Sequence, residues 1–131
     1  MNSKKIILVV EDERSLLDAI RTKLEKNDFE VLTARSVAQA INHLKDVPHI
    51  DVIWLDHYLL GKEDGLDLVT QLKGKDGRWK QVPIFVVSNT ASPDKVQSYM
   101  RLGVHKYYTK ADHRLDEIIS EIRSFLENSK E

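Results

Sequence analysis

The stretch Lys5-Ile6-Ile7-Leu8-Val9-Val10-Glu11-Asp12-Glu13 decides the fold. Five apolar residues run from Ile6 to Val10 without a polar break and stop on three acids. A strand exposed on one face alternates in polarity. An unbroken run suits a strand covered on both faces, as in a parallel sheet. Four further short runs follow: Phe29–Ala34, Val52–Leu55, Ile84–Val87 and Lys106–Thr109. VIWL and IFVV are as continuous as IILVV.

Between the runs the apolar spacing changes to that of helices. Leu16, Leu17, Ile20 and Leu24 share one helical face, as do Val37, Ala40, Ile41 and Leu44. Shorter sets are Leu66, Val69, Leu72 and Val96, Tyr99, Met100. Leu115, Ile118, Ile119, Ile122, Phe125 and Leu126 form the clearest stripe. Ser92-Pro93 reads as a capping hydroxyl before a proline at the first helical position. Asp12, Ser36 and Asp112 are expected as N-caps. The order is βα repeated five times, which implies an α/β fold with a doubly wound parallel five-stranded sheet. Strands are expected over about 5–10, 29–34, 51–55, 83–87 and 105–109, within a single domain spanning 1–131.

Composition narrows the chemistry. The chain has 131 residues, 20 Lys+Arg against 21 Asp+Glu, and no Cys. Absence of cysteine excludes disulfides, thiolate metal sites and thiol nucleophiles. A net charge of −1 argues against direct nucleic-acid binding. No apolar run approaches the ~20 residues of a membrane span, and the run after Lys5 is too short for a signal-peptide core. A cytoplasmic binding module or enzyme is expected.

In open α/β sheets, sites form beyond the carboxyl ends of the strands. Glu11 and Asp12 follow the first strand, Asp56 the third, Ser88, Asn89 and Thr90 the fourth, and Lys110 the fifth. Arg35-Ser36, after the second, reads as a plain turn. Three carboxylates at one sheet edge repel unless a cation relieves them. An all-oxygen site of this kind suits Mg²⁺. Lys110 is then available for a second anion, such as a phosphoryl group, to which Ser88 could also donate.

These segments resemble the receiver domain of two-component response regulators, the fold of the bacterial chemotaxis response regulator. The matching stretches are Ile7–Glu13 (ILVVEDE), Asp51–Leu59 (DVIWLDHYL), Glu63–Leu68 (EDGLDL), Val82–Ala91 (VPIFVVSNTA) and Lys106–Asp112 (KYYTKAD). The resemblance implies a flavodoxin-like sheet of order 2-1-3-4-5. It implies Asp56 as phosphoacceptor, Asp12 and Asp56 as ligands of Mg²⁺ (or Mn²⁺), Glu11 as a ligand through water, and the Tyr58 backbone carbonyl as a further ligand. Ser88 takes the place of the switch hydroxyl, Lys110 of the phosphoryl-pairing lysine and Tyr107 of the aromatic switch. Tyr58 and Thr90 occupy the two positions that modulate phosphoryl lifetime. The implied donor is a sensor histidine kinase or a histidine phosphotransfer protein, which is the enzyme of the pair. A downstream protein, or a second copy in a homodimer, would dock on the fourth helix, fifth strand and fifth helix.

The chain departs from the pattern at several points. Glu11 is one methylene longer than the usual Asp. Leu60 stands where a Pro is usual, and Gly65 lies nine residues after Asp56, one more than usual, so a bulged and more mobile loop is expected. Ala111 replaces the usual Pro after Lys110, which favours a trans bond. His57 is expected to point away from Asp56, Trp54 to be core, Trp79 to pack over a helix edge, and the basic residues of 74–81 to be a solvated face. A degenerate receiver that only binds protein would normally have lost one of the site residues, and all are present. An aspartyl-nucleophile phosphohydrolase of the haloacid-dehalogenase type would need a second Asp where Tyr58 stands. A flavodoxin-type carrier would place phosphate against Glu11-Asp12-Glu13. The sequence suits a stand-alone regulator and a receiver from a longer regulator or hybrid kinase equally.

Overall fold

Five parallel strands alternate with five helices in the computed structural model, which describes residues 4–74 and 77–128. The strands are β1 (Lys5–Val10), β2 (Phe29–Ala34), β3 (Val52–Leu55), β4 (Ile84–Ser88) and β5 (Lys106–Thr109). The helices are α1 (Arg14–Lys26), α2 (Val37–Asp46), α3 (Gly65–Leu72), α4 (Pro93–Arg101) and α5 (Leu115–Asn128). The sheet order is β2-β1-β3-β4-β5, the flavodoxin-like arrangement. The two ends of the expected 1–131 domain, residues 1–3 and 129–131, lie outside the described residues, as do Lys75 and Asp76 of the charged loop.

The continuous apolar runs split by the period of the strand. Leu8, Val10, Ile53 and Leu55 face α2, α3 and α4, while Ile7, Val9, Val52 and Trp54 face α1 and α5. Both sets are fully buried. Trp54 is core, as expected. Trp79 is half-buried against the layer that holds α2 and α3. Arg78 is not merely solvated: its guanidinium lies 4.5 Å over the Trp79 ring and donates to the Val47 carbonyl at 2.7 Å.

Strand ends agree with expectation to within a residue. β4 runs one residue further, because Ser88 pairs with Thr109 of β5. The caps agree less well. Ser36 and Ser92 cap α2 and α4 as expected, and Pro93 opens α4. The residue before α1 is Glu13, not Asp12. Asp12 is held outside the helix because Arg35 takes its carbonyl, through Nε at 3.0 Å and Nη2 at 2.7 Å. Asp112 does not cap α5. Its N–H closes a turn on the Thr109 carbonyl at 3.1 Å, and the helix starts three residues later, at Leu115. Glu117 accepts there from the Arg114 N–H at 2.8 Å. The Lys110–Ala111 peptide is trans, as expected.

Candidate functional site

The site is built by extending the sheet ladder one residue beyond the strands. The N–H of Glu11 donates to the Ala34 carbonyl at 3.0 Å. That of Asp56 donates to Val10 at 2.9 Å, and that of Lys110 to Ser88 at 2.8 Å. Each functional side chain therefore leaves a backbone fixed by its neighbouring strand. These bonds draw Glu11, Asp12, Asp56, Ser88 and Lys110 to one edge.

Carboxylate oxygens of Glu11, Asp12 and Asp56 lie within 4.8 Å of one another. Glu11 and Asp56 are buried, and Asp12 is half-buried. Lys110 Nζ donates to Glu11 Oε1 at 3.0 Å and reaches Asp56 Oδ2 at 3.4 Å. The other Glu11 oxygen accepts from the Glu13 N–H at 3.1 Å. One ammonium thus contacts two of the three carboxylates. Burial, reinforced by the charge of Asp56, pushes Glu11 up to about 7. Burial also raises Asp56, against the pull of Lys110. For Lys110 burial acts downward, but the two carboxylates prevail and raise it, so it stays protonated.

Two oxygens at this edge are buried without a hydrogen-bond partner: Asp56 Oδ1 and Ser88 Oγ. Leaving such groups unpaired costs about 1–3 kcal/mol each. Native proteins tolerate that where a ligand or ion completes the set. The donors are all oxygens and mostly anionic, which fits a hard divalent cation.

The rim is made by Tyr58, Thr90, Lys95 and Tyr107. Tyr58 is 49 % exposed. Tyr107 is half-buried and donates from its hydroxyl to the Thr90 carbonyl. Burial raises its pKa, with the nearby Ser88 hydroxyl acting against that. His57 turns away from Asp56, as expected. Its Nδ1 lies 2.6 Å from the Tyr99 hydroxyl and its Nε2 faces Asp64 Oδ2 at 3.6 Å.

The loop after β3 is tied to the end of β2. Leu60 N–H donates to the Arg35 carbonyl at 3.0 Å, and Leu60 bridges Ser36. Gly61 takes φ +89°, a conformation that favours glycine. Arg35, read as part of a plain turn, thus holds the Asp12 carbonyl and the Asp56 loop together. Its only signal in the sequence is its place at the end of β2. Lys95, Tyr99 and Gly65 also border the site without a motif to mark them. Each reaches it from a helix, where apolar periodicity gives no hint of chemistry.

The family model for the response regulator receiver domain matches residues 7–123. The chain belongs to that family. It is therefore a receiver domain of two-component signalling. It is 34 % identical over 122 residues to the transcriptional regulatory protein KdpE of Mycobacterium tuberculosis, covering 91 % of this chain and 50 % of that protein. It is 30 % identical over 124 residues to CpxR of Escherichia coli, covering 94 % and 50 %. The receiver spans about half the length of these regulators. Among solved structures it is similar to the Mn²⁺-bound form of response regulator Rcp1, with a TM-score of 0.78 and 27 % identity over 92 % of this chain and 93 % of that one. A receiver domain from Methanospirillum hungatei, 21 % identical with a TM-score of 0.85 over 96 % of each chain, shares the fold. No described helix of this receiver is long and apolar enough to cross a membrane.

Proposed function

We propose that this receiver, as one domain over 1–131, accepts a phosphoryl group on Asp56 from a phosphohistidine of a sensor kinase or phosphotransfer protein. The observation that carries the reading is the pair of unpartnered buried oxygens, Asp56 Oδ1 and Ser88 Oγ, beside Lys110 and the carboxylate cluster. Asp56 supplies the nucleophilic oxygen. Its bond to phosphorus forms as the donor's P–N bond breaks, and the bonding pair leaves with the donor imidazole. Lys110 stands ready to pair with the phosphoryl oxygens, and the Ser88 hydroxyl to donate to one of them.

Two anions meet in this reaction, so the site needs more cation than Lys110 provides. Asp12, Asp56 and the Tyr58 carbonyl would hold Mg²⁺ (or Mn²⁺) directly, and Glu11 through water. The metal, when bound, neutralises charge on the transferring oxygens. Glu11 has a further task in this chain, because it is the carboxylate nearest Lys110 and positions that ammonium.

The acyl phosphate would give Ser88 a partner and draw on Tyr107, whose hydroxyl already reaches the loop carbonyl of Thr90. The readout would pass through α4, β5 and α5 to a downstream protein or a second copy. The domain is thus a signalling component of the cytoplasm rather than an enzyme acting on a separate substrate.

The test is intact-mass measurement after incubation with acetyl phosphate and Mg²⁺. One added phosphoryl group is expected, absent in Asp56→Asn and blocked by a chelator. No mass gain, with a control receiver loading normally, would leave a protein-binding module. Steady release of phosphate from monoesters would instead indicate a hydrolase.

A further inference from the structure

Lys95 lies in the first turn of α4, its N–H donating to the Ser92 cap at 3.3 Å. Its ammonium reaches back to the rim. Nζ donates to the Tyr58 hydroxyl at 2.9 Å and to Thr90 Oγ1 at 2.8 Å, and lies 4.6 Å from the Tyr58 ring centre. Tyr58 stands two residues beyond Asp56, and Thr90 two beyond Ser88. β3 and β4 are neighbours in the sheet. The bridge from Tyr58 to Thr90 therefore crosses the crevice between the strand ends that carry Asp56 and Ser88.

Stability does not account for this bridge. A surface lysine commonly pairs with a carboxylate. Lys95 instead spends its donors on two neutral hydroxyls, with no carboxylate partner among the described residues. Such an exposed arrangement gains little free energy against water. It does place a half-buried side chain and its charge across the crevice between those strand ends.

We propose that Lys95 is a positioning residue whose strap to Tyr58 and Thr90 closes the mouth over Asp56 and sets how fast the phosphoryl group enters and leaves. This rests on the reading of Asp56 as acceptor. In-line transfer requires the group attacking or leaving phosphorus to lie opposite the Asp56 oxygen. In hydrolysis the water oxygen bonds to phosphorus and the P–Oδ bond breaks. The bonding pair returns to Asp56 as carboxylate, and the water's proton leaves with inorganic phosphate. A small phosphodonor approaches by the same path. One closed mouth therefore slows both gain and loss, and opening it speeds both.

The experiment compares wild type, Lys95→Met, Tyr58→Phe and the double variant by intact mass. Loading is followed with acetyl phosphate and Mg²⁺, and loss after the donor is removed. Lys95→Met keeps an unbranched side chain only one atom shorter but loses charge and both hydrogen bonds. Loading and loss are each expected to rise about three- to tenfold, the range a hydrogen bond or two supplies, with the final level little changed. Tyr58→Phe should do less, and the double variant should match Lys95→Met, because one unit is being broken. Slower loading with unchanged loss would make Lys95 a receptor for the donor's charge and overturn the gate. Unchanged rates in Lys95→Met, with the wild type loading normally, would overturn the gate alone. A wild type that never loads would overturn the gate together with the acceptor reading.

Discussion

Glu11 is a buried acid whose ion-pair partner among the described residues, Lys110, is shared with a second acid. Its position after an apolar strand was legible in the sequence; its burial was not, because burial depends on β1 lying inside the sheet. The physical consequence is a pH-dependent fold in the metal-free protein. Glu11 has an ordinary value of 4.5 and is pushed up to about 7 in the fold. Between those values the folded state holds more protons than the unfolded state. Stability present near pH 4.5 is therefore lost as pH rises through 7. Asp56 is shifted in the same direction. A shift of this size corresponds to about 3 kcal/mol at most. Urea unfolding in the presence of a chelator, across pH 5 to 8, should show the loss in wild type relative to Glu11→Gln. A constant difference between the two across that range would contradict it. The residue scale also shows what a motif leaves out. Arg35 carries no signal by type, yet it ties Asp12 to the loop that follows Asp56.

At the scale of elements, α3 was expected from a short apolar set, and its start was not. The start is a reciprocal cap, in which Asp64 accepts from the Asp67 N–H at 3.0 Å and Asp67 accepts from the Asp64 N–H at 2.9 Å. Both acids of that cap stand three residues apart within the EDGLDL stretch. This cap sets Gly65 against the acceptor loop, where its N–H donates to the His57 carbonyl at 2.8 Å. A Cβ on Gly65 would fall 2.6 Å from the Tyr99 hydroxyl and 2.7 Å from the Asp56 carbonyl. The Asp56 carbonyl is backbone and cannot swing aside. Gly65→Ala should therefore cost about 1–3 kcal/mol and push Asp56 off its ladder position. Slower phosphoryl loading should accompany the lowered midpoint of chemical unfolding. Unfolding and loading both like wild type would mean that α3 can slide away without cost. Tyr99→Phe separates the two effects. It removes the hydroxyl while retaining the ring that packs against the layer of α2, α3 and α4.

For the whole molecule, the alternation of strand and helix was legible because most of the sheet's residues are apolar on both faces. The order of the strands was not. Nothing in periodicity says that β1 lies between β2 and β3, and that expectation came from the family resemblance. The arrangement matters because it sets like charges side by side at one edge, at the expense of stability. Two variants should expose that cost. Asp12→Asn and Asp56→Asn each remove one of the three carboxylates while keeping size, so both should unfold at higher temperature than wild type in a chelator. Adding Mg²⁺ should reverse the ranking. A ligand that binds only the folded state stabilises it by about 2.7 kcal/mol at a hundred times its dissociation constant. For a domain of this size that is roughly 8–13 °C in melting temperature. The rise should appear in wild type and be much smaller in Asp12→Asn, whose side chain has lost the anionic oxygen. An equal rise in both would place the cation elsewhere. Equal melting temperatures in the chelator would mean that Lys110 alone already relieves the cluster, which the raised Glu11 and Asp56 argue against.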